Sequence, residues 1–197
     1  MDFRDLNQER NDVNFLHRAV YWIADVAVVL VLAIFVVLFF CHRVTVTGQS
    51  METTLKASDV VLVNRVEYHF HEPQRFDVIV FEKENNRAVK EYVKRVIGLP
   101  GETVQIIDEI VYIDGQPLQG EAGLEHVTLA GLASQPIVLG SDEYFVLGDN
   151  RESSEDSRFS NIGNVKRGEI HGSVWLRVSP FQRFGKISYG ADTEKGE

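Results

Sequence analysis

A chain of 197 residues with 20 lysines and arginines against 29 aspartates and glutamates carries a formal charge of −9. An acidic chain with no basic stripe excludes nucleic acid as the partner, and also polybasic docking on anionic lipid. The single cysteine, Cys41, excludes an internal disulfide and a cysteine-based metal cluster; no cofactor is expected.

The first eighteen residues are polar and include Arg4, Arg10 and Arg18. An apolar run follows, AVYWIA at 19–24 and VAVVLVLAIFVVLFFC at 26–41, broken only by Asp25. About twenty apolar residues are enough to span a bilayer as one helix. Tyr21 and Trp22 lie near one end, where aromatic belts form. A cleaved leader is the rival reading. It fails because the apolar core is too long and HRVTV offers no A-x-A-like site. Arginines before the run outnumber Arg43 just after it, so the positive-inside rule leans toward a cytoplasmic N-terminus. The expected organisation is a cytoplasmic segment over 1–18, a transmembrane helix over 19–41, a domain over 42–189 and a flexible tail over 190–197.

From Val44 onward the texture is that of strands. VTV (44–46), DVVLVNRV (59–66), FDVIVFE (76–82), VKEYVKRVI (89–97), ETVQII (102–107), EIVYI (109–113), EYFVLG (143–148) and GSVWLRV (172–178) are rich in Val, Ile, Tyr and Phe. Turn residues separate them, and Asp114-Gly115 after EIVYI is a hairpin signal. No helical period of useful length follows the apolar run, and residues 120–140 read as a loop. The predicted fold is mainly β, an antiparallel, barrel-like domain behind one N-terminal helix. His69 and His71 would share a strand face, but no further ligands stand at matching spacing, so a metal site is not expected.

Three stretches carry polar groups suited to chemistry. The first is TGQSMETTL at 47–55, where Ser50 sits soon after the apolar run. A serine hydroxyl is a poor nucleophile until a base takes its proton, and none of the six histidines stands in a recognisable triad context. The second is VKEYVKRVI, where strand alternation puts Lys90, Tyr92, Lys94 and Val96 on one face. An amine desolvated between Tyr92 and Val96 loses its proton more easily and can act as a general base. Spacing alone favours a solvated lysine on a half-exposed strand. The third is LGDNRESSEDSR at 147–158. Composition makes it a charged surface loop; read as a network, Arg151, Asp156 and Arg158 brace one another while Ser154 or Ser157 reaches a buried amine.

Together these stretches resemble the type I signal peptidases, membrane serine proteases with a Ser/Lys dyad. The family motif SGxSMxPTL is similar to TGQSMETTL, YxKRxxGLPGD to YVKRVIGLPGE at 92–102, and GDNRxxSxDSR is matched in full by GDNRESSEDSR at 148–158. The resemblance, unlike the spacing, implies that Lys94 is the base and Ser50 the nucleophile. It implies that Ser154 orients the lysine amine, that Asp156 and Arg158 form a supporting ion pair, and that Asp149, Asn150 and Arg151 belong to the supporting loop. Tyr92 resembles the residue that covers the lysine, and Met51 the apolar residue beside the nucleophile. Thr53 stands where the family has proline, which implies a less rigid turn after Ser50. Gly48 implies an oxyanion hole built on backbone N–H groups, chiefly that of Ser50.

The resemblance implies a single-pass enzyme of the cytoplasmic membrane with its catalytic domain outside. It would act as a monomer and cut exported preproteins after a small residue. An extended peptide would add to strand edges near QSMET and FDVIVFE, which makes Gln49, Met51, Asp77, Ile79 and Phe81 the expected substrate contacts. Two other readings are a self-cleaving repressor and an inactive anchored β domain that binds export partners. The first lacks its DNA-binding helical domain here, and the second has no use for Ser50, Lys94 and Ser154 together.

Overall fold

The computed structural model describes residues 17–34, 41–85, 88–120 and 126–187. Residues 1–16 of the expected segment over 1–18, residues 35–40 of the predicted span over 19–41 and the tail over 190–197 lie outside the described residues. The chain divides into two compact units, Met1–Cys41 and His42–Glu197. The first holds helix α1 (His17–Ile34), which is long and apolar enough to cross a membrane. Its apolar side chains, Val20 to Ile34 on either side of Asp25, are exposed all round.

The second unit is built of antiparallel strands: β1 (Cys41–Thr45), β2 (Val60–Asn64), β3 (Val78–Asn85), β4 (Ala88–Gly98), β5 (Thr103–Ile107), β6 (Ile110–Ile113), β7 (Gln116–Pro117), β8 (Ile137–Val138), β9 (Glu143–Leu147), β10 (Val165–Lys166), β11 (Ile170–Ser179) and β12 (Gly185–Lys186). One four-residue helix, α2 (Glu67–Phe70), follows β2. The larger sheet runs β1-β2-β11-β3-β4-β9-β10, with β12 paired to β11, and the smaller runs β7-β6-β5-β8.

Side-chain alternation explains why this sheet is buried on both faces. From β3, Val78 and Val80 enter one core with Val44, Val46, Met51, Leu55, Val61 and Val63. Ile79 and Phe81 enter the opposite core with Val96, Val146 and Ile162. A strand covered on both sides reads as a continuous apolar run, which is what VIVF supplies. A third core joins the two sheets through Ile97, Phe145 and Leu147 from one and Val104, Ile106 and Val111 from the other. The Asp114-Gly115 turn has φ of 50° and 77° and links β6 to β7 as a hairpin.

The topology corrects one expectation. FDVIVFE is not an open edge. β3 pairs with β4 along its length and with β11 at Ile79–Phe81, so its backbone groups are taken on both sides. Ile79 and Phe81 are fully buried. Asp77 just before the strand accepts from the Tyr68 hydroxyl at 2.9 Å and the Gln74 amide at 2.9 Å. No extended peptide can add there.

Candidate active site

Ser50 stands in a tight turn that leaves β1. The Glu52 amide donates to the Gln49 carbonyl at 3.0 Å and the Leu55 amide to the Met51 carbonyl at 2.7 Å. Met51 and Leu55 are buried in the core beneath, so the turn is nailed down by apolar burial at both ends. Its rim is held from elsewhere in the chain. The Asn150 amide donates to the Ser50 carbonyl at 3.1 Å, the Thr54 hydroxyl donates to Asp149 at 2.5 Å, and Arg177 donates to the Thr54 carbonyl at 2.9 Å. Thr53 adopts φ +99° and its side chain is exposed. Proline, fixed near −65°, cannot take that conformation. The turn is therefore not a loosened version of one built on proline; its backbone follows a different course.

Lys94 lies in β4, opposite Ile79 of β3. It is 3% exposed, and burial pushes its ammonium down to about 8. Asp156, Glu155 and Asp149 oppose that drop and Arg158 adds to it. Among the described residues no hydrogen bond or ion pair holds the amine. On the same face Tyr92 stacks on Phe81, with ring centroids 5.6 Å apart, and Val96 is fully buried. The next residue behaves oppositely. Arg95, 1% exposed, grips Asp149 through two bonds, Nε to Oδ1 at 2.7 Å and Nη2 to Oδ2 at 2.6 Å. It also donates to the Phe76 carbonyl at 2.8 Å and the Thr54 hydroxyl at 3.2 Å. Sequence reasoning gave Arg95 no role; the signal available was Asp149, an acid destined for a buried loop and therefore in need of a cation.

The loop after β9 completes the site. Asp156 and Arg158 are paired, Nε to Oδ1 at 2.8 Å and Nη2 to Oδ2 at 2.8 Å. Arg158 also donates to the Arg151 carbonyl at 2.7 Å and the Leu129 carbonyl at 3.0 Å. Arg151 itself is buried. The two serines divide the work. The Ser157 hydroxyl accepts from the Val146 amide at 2.9 Å and is committed to backbone. The buried Ser154 hydroxyl has no hydrogen-bond partner among the described residues. Gly148 shows how close the parts lie: a Cβ there would stand 2.2 Å from the Ser154 Oγ and 2.4 Å from the Ser50 carbonyl oxygen.

Ser50 and Lys94 line one cavity of about 680 Å³, with Gln49, Met51, Tyr92, Val93, Ser153 and Glu155 in its wall. Its long sides are the segments 44–49 and 90–93. Asp77 is absent from it and lines a separate hollow on the unit. Val44, Val46, Val93 and Glu155 were not singled out from sequence: the valines carry no polar signal, and Glu155 stands inside the polar loop motif with nothing in the motif to set it apart from its neighbours.

The relation to known proteins is direct. The family described as "Signal peptidase, peptidase S26" matches residues 19–179. The chain belongs to the signal peptidase S26 family. Relatives include a protein named signal peptidase I from Leptolyngbya laminosa, 37% identical over 84% of this chain and 82% of its own. Another is a probable signal peptidase I-1 from Synechocystis, 39% identical over 81% of this chain and 82% of its own. A third is signal peptidase I from Bacillus caldolyticus, 37% identical over 83% and 91%. A crystal structure of a signal peptidase I from Enterococcus faecalis is 36% identical, covers 52% of this chain and 97% of that one, and superposes with a TM-score of 0.42. Membership in this S26 family makes the chain a serine-type peptide hydrolase, and its cavity joins a hydroxyl, a buried amine and a core-anchored backbone turn.

Proposed function

We propose that this S26 protein is a membrane-anchored endopeptidase that removes signal peptides from exported preproteins through a Ser50/Lys94 dyad. The observation that carries the reading is a single cavity holding Ser50 beside an amine whose proton affinity burial has lowered to about 8. At pH 7 a lysine at its ordinary 10.5 holds about one neutral amine in three thousand; at about 8 it holds about one in ten.

In acylation the neutral Lys94 amine takes the Ser50 proton as Oγ attacks the scissile carbonyl carbon. The negative oxygen that develops is met by backbone N–H, chiefly that of Ser50. The tetrahedral species collapses, the C–N bond breaks, and the Lys94 ammonium returns a proton to the leaving amine. A water then attacks the ester with Lys94 again as base, releasing the acid and restoring Ser50. The unpartnered Ser154 hydroxyl is suited to orient the amine, and the Asp156–Arg158 and Arg95–Asp149 pairs keep the loop and the turn in register. Substrate adds as an extended strand along 44–49, since β1 is the terminal strand of the larger sheet. Val44, Val46 and Val93 narrow that groove, which favours small side chains before the bond. α1 supplies the anchor, with the N-terminus inside and residues 42–197 outside, because signal peptides present their cleavage sites at the outer face.

The test is processing of a preprotein reporter by the purified protein. Wild type is expected to cut after a small residue, and Ser50→Ala to fold and leave the reporter intact. Turnover by Ser50→Ala near the wild-type rate would exclude Ser50 as nucleophile.

A further inference from the structure

Beside the reacting pair the cavity carries a charge that the chemistry above does not use. Glu155 lies between buried Ser154 and buried Asp156, yet its own side chain is exposed and lines the cavity with Ser50 and Lys94. The other acids of its loop that face Lys94 are answered. Asp149 is gripped by Arg95 and Asp156 by Arg158. Lys90 and Glu91 also line the cavity, farther back along β4 from Lys94. Among the described residues Glu155 has no hydrogen-bond or ion-pair partner of its own, although its field reaches Lys94.

Its place along the substrate follows from register. Leu147 of β9 pairs with Arg95 of β4, so the loop that follows β9 emerges at the Lys94 end of the cavity. Lys90 lies four residues back along β4, roughly 13 Å away. The groove segments 44–49 and 90–93 lead back from the Ser50 and Lys94 pair toward that far end. If the groove holds the small residues before the scissile bond, as proposed above, the residues after the bond leave past the loop bearing Glu155.

We propose that Glu155 is a specificity-determining residue that favours a basic, and disfavours an acidic, side chain immediately after the scissile bond. The inference rests on the cleavage reading above. An unneutralised carboxylate on the wall of a partly enclosed site acts through a lower effective dielectric than bulk water, so it discriminates between opposite charges a few ångströms away. Since Glu155 is exposed, replacing it leaves no buried partner stranded, and variants are expected to fold.

The experiment uses the full-length protein in detergent and a set of signal-peptide substrates that differ only in having Lys, Gln or Glu at the first or the second position after the bond. Rates are compared at pH 9, above the Lys94 transition. Lys94 is faced there by Asp156, Asp149, Arg158 and Glu155, and Glu155→Gln alters its titration for every peptide alike, so the ratio between peptides isolates the direct effect. Wild type is expected to prefer Lys over Glu in kcat/KM by about tenfold at low salt, at one or both positions. The ratio should shrink as ionic strength rises. Glu155→Gln should bring it near one, and Glu155→Lys should invert it. A Lys-to-Glu ratio unchanged in Glu155→Lys would overturn the proposal while leaving the cleavage reading intact. If wild type cuts none of the substrates, both fall.

Discussion

Lys94 and Arg95 are neighbours on one strand with opposite environments. Arg95 is held by a bidentate carboxylate; Lys94 is buried without a hydrogen-bond partner among the described residues and gives up its proton more readily than an ordinary lysine. The sign of the pH dependence follows. The working base is the neutral amine, so kcat/KM should climb about tenfold per pH unit below 8 and level off above it. A pH–rate profile with its midpoint near the ordinary 10.5 would contradict the buried-amine mechanism. Gly148 tests the packing behind the pair. In Gly148→Ala the added methyl meets the Ser154 hydroxyl and the Ser50 carbonyl, so the nucleophile must shift. Turnover should drop by about a hundredfold with the circular dichroism spectrum retained, since small misplacements of reacting groups cost that much. Only part of this was legible in the residues. Alternation named Tyr92 and Val96 as companions of Lys94, but spacing favoured a solvated amine, because burial depends on what covers the strand. Arg95 was missed because its partner Asp149 is distant in sequence and brought close only by the pairing of β4 with β9.

At the scale of elements, the longer strands were legible because Val, Ile, Phe and Tyr recur through segments of four or more residues and carry their own signal. The two-residue strands β7, β8, β10 and β12 were not, since so short a segment has no period. The run FDVIVFE was read correctly as a strand and wrongly as an edge: a continuous apolar run is the mark of a central strand buried on both faces. The nucleophile turn is the element where sequence resemblance and local geometry part. With Thr53 at φ +99°, Thr53→Gly should raise stability by about 1 kcal/mol, read as a higher urea midpoint, because glycine takes positive φ without strain. Thr53→Pro, by contrast, should force the turn open, break the Thr54 bonds to Asp149 and Arg95, and lower kcat. A Thr53→Pro enzyme as active and stable as wild type would show that the turn follows the proline-compatible course instead.

For the molecule as a whole, an apolar helix and a β unit are joined in one chain, and the function proposed needs them on defined sides of a membrane. The apolar run made a helix long enough to span a membrane legible; the side proposed for each end rested on a thin arginine count. Protease added outside intact cells should digest the β unit, and the unit should be protected in inverted vesicles; the reverse pattern would invert the orientation. The central claim is that a neutral lysine activates Ser50, and one substitution separates this from a merely structural cation. Lys94→Arg keeps the length and the charge of the side chain, but a guanidinium does not release its proton near neutral pH. Measured on the full-length protein in lipid vesicles with a preprotein substrate, Lys94→Arg should be as inactive as Lys94→Ala. Cleavage by Lys94→Arg at a rate close to wild type would show that Lys94 is not the base.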